Sequence, residues 1–150
     1  MPDLNFKIAA KSESPTRTIV EARKFKIVID EPESLGGTDA GPNPVEYELA
    51  ALSGCLNVMG HLVAGEMGFE IRSMEMEIDG NLDPGRFSGA SMKERAGYKN
   101  IRVIIRVDSN ANEATLKKWL ETIESRCPVS DNLSHTTPVE LTLNGSDSSE

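Results

Sequence analysis

The sequence predicts an α+β domain in which antiparallel sheet packs against helices. Two observations lead to this class. Short segments rich in alternating or β-branched apolar residues, typical of strands, lie before and after one long apolar segment. A later segment has apolar residues at helical spacing. The predicted order is three strands, a long helix, two strands, a second helix and a last strand. The length of 150 residues fits one domain. Within it we expect an N-terminal part with the long helix, residues 1–67, and a second sheet-and-helix lobe, residues 68–150.

Three short strands are predicted before the long helix. Residues 4–10 and 17–22 alternate in part, and residues 25–30 form a better strand pattern that ends before Pro32. A loop rich in glycine and proline follows. Asn43 can cap the next helix, and Pro44 suits its first position.

The long helix is predicted over residues 45–67. No Asp, Glu, Lys or Arg occurs between Glu48 and Glu66, and a helix that is apolar on all sides is either buried or membrane-spanning. This stretch is short for a membrane span and is interrupted by polar and glycine residues. We therefore predict a central helix buried by other elements. Because one chain of this size can hardly wrap it alone, we expect a partner subunit to cover part of it.

The second half of the chain is predicted to contain further strands and a second helix. Its predicted elements are strands at residues 69–82 and 99–107, a surface loop at 83–97, a helix at 113–126, a last strand at 139–143 and a frayed tail at 144–150. The second helix has Leu116, Trp119 and Ile123 on one face. Cys127 continues that face, and Pro128 ends the helix.

Composition and motifs exclude several classes of function. The net charge of −8 argues against nucleic acid or an anionic membrane surface as a partner. Phosphate-binding glycine loops and the usual zinc-binding spacings are missing, so we expect no cofactor and no metal. The N-terminus lacks the basic and apolar regions of a signal peptide. We therefore expect a cytoplasmic protein.

The two cysteines, Cys55 and Cys127, are the main candidates for chemistry. In a reducing cytoplasm a permanent disulfide between them is not expected, but a functional or transient one is compatible with their inward-facing positions. The alternative is that both are small buried hydrophobic residues. A nucleophilic thiol must be ionised, and burial opposes this, so a nearby cation would be needed. Arg17 and Arg23 are the candidates for that cation.

Glu48 precedes Cys55 by two helical turns and could hold such an arginine over the thiol. The alternative is that Glu46 and Glu48 only favour the positive N-terminus of the helix.

Three segments of the sequence resemble a known family. They are DEPESLGGTDAGPNPVE from Asp30 to Glu46, AALSGC ending at Cys55, and RCPVSDNL from Arg126, which is followed by Thr137-Pro138-Val139. Together they are similar to the osmotically inducible protein C and organic hydroperoxide resistance (OsmC/Ohr) superfamily, and the third is similar to its OsmC-like branch. The resemblance covers nearly the whole chain.

The resemblance implies an intertwined homodimer, with two long central helices wrapped by sheets from both chains, and a thiol-dependent peroxidase that reduces organic hydroperoxides under oxidative or osmotic stress. Cys55 would be the peroxidatic thiolate, and Cys127 would resolve its sulfenic acid as a disulfide. An external dithiol such as a lipoyl group would then reduce that disulfide. Arg17 and Glu48 would activate Cys55.

The chain departs from the family pattern at two places. Hydroperoxide-resistance members carry a glutamate directly after the helix-start proline, where this chain has Val45, and the Gly-Gly-Arg segment before the third strand is absent. Arg17 is therefore a positional assignment, with Arg23 as the alternative. A second function stays open, namely a weakly catalytic or non-catalytic stress protein that binds a lipophilic ligand near Met59 and Met67. A redox sensor that uses the same thiols is a third.

Overall fold

The structure is a computed structural model, and it describes residues 1–145. Its strands are β1 (Ala9–Ser12), β2 (Thr18–Ala22), β3 (Phe25–Ile29), β4 (Ile71–Leu82) and β5 (Tyr98–Ser109). Its α-helices are α1 (Pro44–Met67), α2 (Gly85–Ser88), α3 (Glu113–Arg126) and α4 (Pro128–Ser134). The α+β class is confirmed. None of the described helices combines the length and apolar character needed to cross a membrane.

Contacts group the described residues into two compact units. The first contains Met1–Ala51 and Ile78–Arg102, and the second contains Leu52–Glu77 and residues 103–145. The helix α1 and the strands β4 and β5 each contribute residues to both units.

The first three strands form an antiparallel sheet in the order β1-β2-β3. The predicted second and third strands are confirmed, and Ala22 pairs with Phe25 across a tight turn. The first strand was predicted over residues 4–10 but lies at Ala9–Ser12, because its pairing begins where Ser12 meets Thr18. The earlier apolar residues Leu4 and Phe6 are exposed and lie outside the strand.

The strands β4 and β5 form the second sheet. Both alternate between half-buried apolar residues and exposed charged ones, as their sequence predicts. Salt bridges cross the exposed face, for example Arg72 to Asp108 at 2.7 Å and Arg102 to Asp79 at 2.8 Å. The predicted loop at 83–97 is not entirely irregular, since Gly85–Ser88 form the short helix α2.

The long helix α1 begins as its sequence predicts. Asn43 and Glu46 form a reciprocal capping pair, in which the Asn43 side chain accepts from the Glu46 N–H at 2.9 Å and the Glu46 carboxylate accepts from the Asn43 N–H at 3.0 Å. One face of the helix, including Leu56 and Val63, is buried, whereas Val58 and Leu62 on another face are exposed. Within a single chain, α1 is therefore covered on one side only.

The second unit has a hydrophobic core between α1 and α3. Its buried members are Val63, Ala64, Phe69, Trp119 and Ile123. The rings of Phe69 and Trp119 meet edge to face with centroids 6.3 Å apart. This core positions the C-terminal end of α3 beside α1, and both cysteines lie on these elements.

The helix α3 has the predicted bounds and is capped by the Asn112 side chain, which accepts from the Thr115 N–H at 2.8 Å. The predicted last strand over residues 139–143 is wrong for the single chain. Its alternating pattern suits a strand, but a strand also needs a neighbour to pair with, and this segment joins neither sheet in the described chain. Val139 and Leu141 are 80% and 94% exposed. Most of the predicted frayed tail, residues 146–150, lies outside the described residues.

Candidate active site

The structure brings the two cysteines together. The Sγ atoms of Cys55 and Cys127 lie 2.7 Å apart, although 72 residues separate them in the chain. Cys55 is half-buried and Cys127 is fully buried, and both are free thiols. A disulfide bond is about 2.05 Å long, so only a small movement of either side chain is needed for the bond to form once an oxidant has accepted two electrons from the thiols.

Cys127 occupies a junction between two helices. It is both the C-cap residue of α3 and the N-cap residue of α4, and its backbone is extended, with φ −77° and ψ 112°. Its Sγ accepts a hydrogen bond from the Ser130 N–H at 3.3 Å. Pro128 takes the first position of α4, where the missing N–H has no cost.

The surroundings of Cys127 keep its thiol protonated. Burial raises the pKa of Cys127, and the hydrogen bond with Cys55 raises it further, while the N–H groups of Ser130 and Val129 oppose the shift. The Cys127 S–H group donates to the Cys55 sulfur. In this arrangement Cys127 is the hydrogen-bond donor of the pair and the Cys55 sulfur is the acceptor.

Two polar contacts connect α1 to α3. The Trp119 indole N–H donates to the backbone carbonyl of Gly60 at 2.8 Å in the buried core. The Arg126 guanidinium makes two hydrogen bonds to the carboxylate of Glu66, at 2.6 and 3.2 Å. Sequence reasoning did not select Arg126 or Glu66. The available signal was the position of Arg126 next to Cys127 and of Glu66 about three helical turns after Cys55.

Arg17 lies in the first unit, where it is held by three neighbours. Its guanidinium contacts the Glu13 carboxylate at 3.0 Å and donates to the Thr38 hydroxyl at 2.6 Å. Its Nε atom is 3.7 Å from the carboxylate of Asp30. The side chain is 32% exposed, so the guanidinium is fixed and still accessible.

Asp30 is the buried anchor of this network. Its carboxylate accepts from the Thr38 hydroxyl at 2.5 Å and from the backbone N–H groups of Glu31 and Ala40 at 2.8 and 3.1 Å. These bonds, led by that of Thr38, outweigh burial and hold the pKa of Asp30 far below its usual range. Asp30 therefore stays ionised and orients the threonine that Arg17 binds. Nothing in the sequence indicated the pairing of Asp30 with Thr38, except that Asp30 is a carboxylate at the end of a predicted strand.

Glu48 is also in the first unit and is exposed on α1. The nearby Tyr98 donates its hydroxyl to the carbonyl of Val45 at 2.8 Å. Burial raises the pKa of Tyr98, and the negative charges of Glu48 and Glu46 add to the shift. The alternative arginine, Arg23, lies in the turn between β2 and β3 with its guanidinium 5.1 Å from the Phe25 ring centre.

No group of three or more metal-binding side chains occurs among residues 1–145.

Comparisons with known proteins agree with this fold. A model of the family described as OsmC-like protein matches residues 37–142. An OsmC-like protein from Mycoplasma pneumoniae has a similar structure, with a TM-score of 0.79, 20% identity and coverage of 90% of this chain and 91% of that one. An organic hydroperoxide resistance protein OsmC from Legionella pneumophila, also titled a predicted redox protein, gives a TM-score of 0.64 at 18% identity, covering 86% and 90% of the two chains.

The organic hydroperoxide resistance protein OhrB of Bacillus subtilis gives a TM-score of 0.56 at 19% identity, with 85% and 89% of the chains covered. No curated protein is similar enough in sequence to count as a match. At these identities the solved structures establish the fold alone. The family match covers well over half of the chain, and the protein belongs to the OsmC-like family.

Proposed function

We propose that this protein is a thiol-dependent peroxidase that reduces organic hydroperoxides and protects against oxidative stress. The Cys55 thiolate attacks the distal oxygen of the hydroperoxide, which releases the alcohol and leaves Cys55 as a sulfenic acid. The Cys127 thiol then attacks the Cys55 sulfur, which forms the disulfide and releases water. An external dithiol, for example a lipoyl group, reduces the disulfide by exchange and is itself oxidised.

The observation that carries this proposal is the thiol pair itself. Its two sulfurs lie 2.7 Å apart, and Cys127 is the donor whose pKa is raised. A donor thiol beside a second sulfur stabilises the thiolate of that second sulfur, and it lies where it can attack a sulfenic acid formed there. This asymmetry supports the proposal that Cys55 is the peroxidatic cysteine and Cys127 the resolving one.

Arg17 and Glu48 complete the proposed site. A guanidinium that is fixed by Asp30 and Thr38, yet accessible, suits the activation of a thiolate and the orientation of a peroxide. Glu48 is the carboxylate that we propose for holding this arginine. The hydroperoxide-resistance pattern has a glutamate where this chain has Val45, so we expect Glu48 to supply the carboxylate.

We further propose that the active form is an intertwined homodimer in the cytoplasm. The exposed apolar residues support this: Val58 and Leu62 on α1 are 63% and 49% exposed, and the segments around Phe6 and Leu141 carry alternating apolar side chains without being buried. A second copy of the chain would cover these surfaces. A reducing cytoplasm would also keep both thiols ready for peroxide.

The first test is the number of free thiols before and after one equivalent of cumene hydroperoxide, measured by alkylation and intact mass. We expect two thiols to be lost with a mass change of about −2 Da, as a disulfide requires. Cys55→Ser should abolish peroxide consumption. Cys127→Ser should reduce one equivalent and then stop, because its sulfenic acid has no resolving partner. Two thiols still free after treatment, or unchanged peroxide consumption by Cys55→Ser, would overturn the proposal.

One observation favours the alternative function, the binding of a lipophilic ligand. An open groove of about 850 Å³ in the second unit is mostly apolar, and its lining includes Ile105, Leu116 and Leu120. Met59 and Met67 instead pack against the core cluster. Native mass spectrometry of the purified protein separates the two functions. A co-purified lipid together with inert thiols would favour binding over catalysis.

A further inference from the structure

The ion pair between Arg126 and Glu66 joins α3 to α1 at the residue next to Cys127 and has no part in the thiol chemistry itself. We propose that it is a positioning pair that sets how readily Cys55 and Cys127 form their disulfide. This inference rests on the proposed thiol function and adds to it a control on the resolving step. Its basis is the way in which α3 is attached to α1.

The end of α3 is attached to α1 at two separate places. Arg126 and Cys127 are adjacent in the chain, but Arg126 binds Glu66 and Cys127 contacts Cys55. On α1 these two partners are separated by about three helical turns, or about 16 Å along the axis. The two neighbours therefore reach in opposite directions along α1. A single contact would allow the end of α3 to pivot, whereas two contacts this far apart fix its direction.

The geometry of the ion pair suits this role. Both guanidinium nitrogens of Arg126 bind the Glu66 carboxylate, at 2.6 and 3.2 Å, and such two-point pairing restricts orientation as well as distance. The hydrogen bond from Arg126 lowers the pKa of Glu66, so the carboxylate is ionised at neutral pH. The core contacts of Ile123 and Trp119 hold the helices in place further back along α3. Arg126 acts closer to the resolving thiol than they do, at the adjacent residue.

The ion pair should therefore favour disulfide formation without taking part in it. When it is present, the reduced protein already holds the sulfurs together. When it is broken, the end of α3 gains freedom that must be lost again as the disulfide forms. The side chains of Arg126 and Glu66 are 40% and 48% exposed, so the effect is modest. We expect the rate and equilibrium constant of disulfide formation to fall by about two- to fivefold.

The test uses the full-length protein with Glu66→Gln and Arg126→Gln, each compared with wild type. The equilibrium between thiols and disulfide is measured in dithiothreitol redox buffers, and the rate of disulfide closure is measured after one equivalent of cumene hydroperoxide. Both variants should form a less stable disulfide, with a reduction potential higher by about 10 to 20 mV for the expected fold-change. The double variant Glu66→Arg with Arg126→Glu should restore both quantities.

A matched control separates positioning from a general loss of stability. Arg72 and Asp108 also form an exposed ion pair in the second unit, at 2.7 Å, but it joins β4 to β5. Asp108→Asn should leave the potential and the closure rate at their wild-type values. An unchanged potential and rate in Glu66→Gln and Arg126→Gln would overturn the inference, and so would an equal change in Asp108→Asn.

The redox-buffer measurement needs no peroxide. If the potential shifts as expected but the protein consumes no hydroperoxide, the proposed peroxidase function fails and the positioning role stands. If peroxide is consumed and the potential does not shift, the positioning role alone fails.

Discussion

Oxidation of the thiol pair should stabilise the fold strongly. A disulfide between Cys55 and Cys127 closes a loop of 72 residues. In the chain-entropy model, a loop of this length lowers the entropy of the unfolded chain by an amount worth about 4 kcal/mol at room temperature. The sulfurs already lie together in the reduced protein, so the folded state needs little rearrangement to form the bond. At roughly 2 to 4 °C per kcal/mol for a chain of this size, we expect the Tm to rise by about 8 to 16 °C.

The assay is calorimetry of the reduced and oxidised protein at one protein concentration, because association of subunits would make the Tm depend on concentration. The reduced sample is kept in a phosphine reductant, and the oxidised sample is prepared with one equivalent of diamide. Cys127→Ser serves as the control. It contains no thiol pair, so the same diamide treatment should leave its Tm unchanged.

Equal melting temperatures for the two wild-type samples would refute the reasoning, provided that mass spectrometry confirms the disulfide. Such a result would mean that the folded state is distorted by the bond as much as the unfolded chain is restricted by it. A lower Tm after oxidation would be a stronger contradiction. It would show that the disulfide destabilises the folded state by more than it restricts the unfolded chain.

Three further predictions concern stability. Ile123→Ala should lower the free energy of unfolding by about 2 to 5 kcal/mol in urea titrations, because Ile123 is fully buried in the core of the second unit. The pKa of Asp30 is depressed, so its stabilising effect is present above its ordinary value of 3.8 and is lost as the pH falls below it. Urea midpoints should therefore fall with acid more steeply for wild type than for Asp30→Asn. The pKa of Cys127 is raised, so the unfolded chain ionises first as the pH passes the ordinary value of 9.0. The reduced protein should thus lose stability at alkaline pH more steeply than the oxidised protein does, as measured by the same titrations.

The sequence predicted those elements whose signals are local. Asn43 and Pro44 define the start of α1 through capping and backbone geometry, and Pro128 defines the end of α3. The alternation along residues 71–82 requires one buried and one exposed face, which is the burial observed. In each case a residue and its immediate neighbours contain the physical cause.

The predictions that failed depend on a neighbouring segment. Residues 139–143 have a strand pattern, but a strand forms only where another strand offers its hydrogen bonds, and the pattern itself does not identify that strand. The first strand was misplaced for the same reason, since its position follows from pairing with β2. In the candidate site, the pairings of Arg17 with Thr38 and of Arg126 with Glu66 join residues that are far apart in the sequence. The spacing of apolar residues along the sequence does not indicate such pairs.

The segment Arg126-Cys127-Pro128 shows how local and distant causes combine at the candidate site. Pro128 stops α3 after Cys127, whose N–H still bonds the Ile123 carbonyl at 3.0 Å and whose sulfur accepts from the Ser130 N–H. Cys127 therefore continues the buried face of Ile123, as the sequence predicts. The core contact of Ile123 brings this junction to α1, where Cys55 lies. Arg126 then adds a second attachment to α1 at Glu66. Of these effects, only the end of α3 could be predicted from residues that are neighbours in the sequence. The thiol contact that supports the proposed chemistry depends on the distant contacts as well as on the helix stop, because the core contact brings the junction to α1.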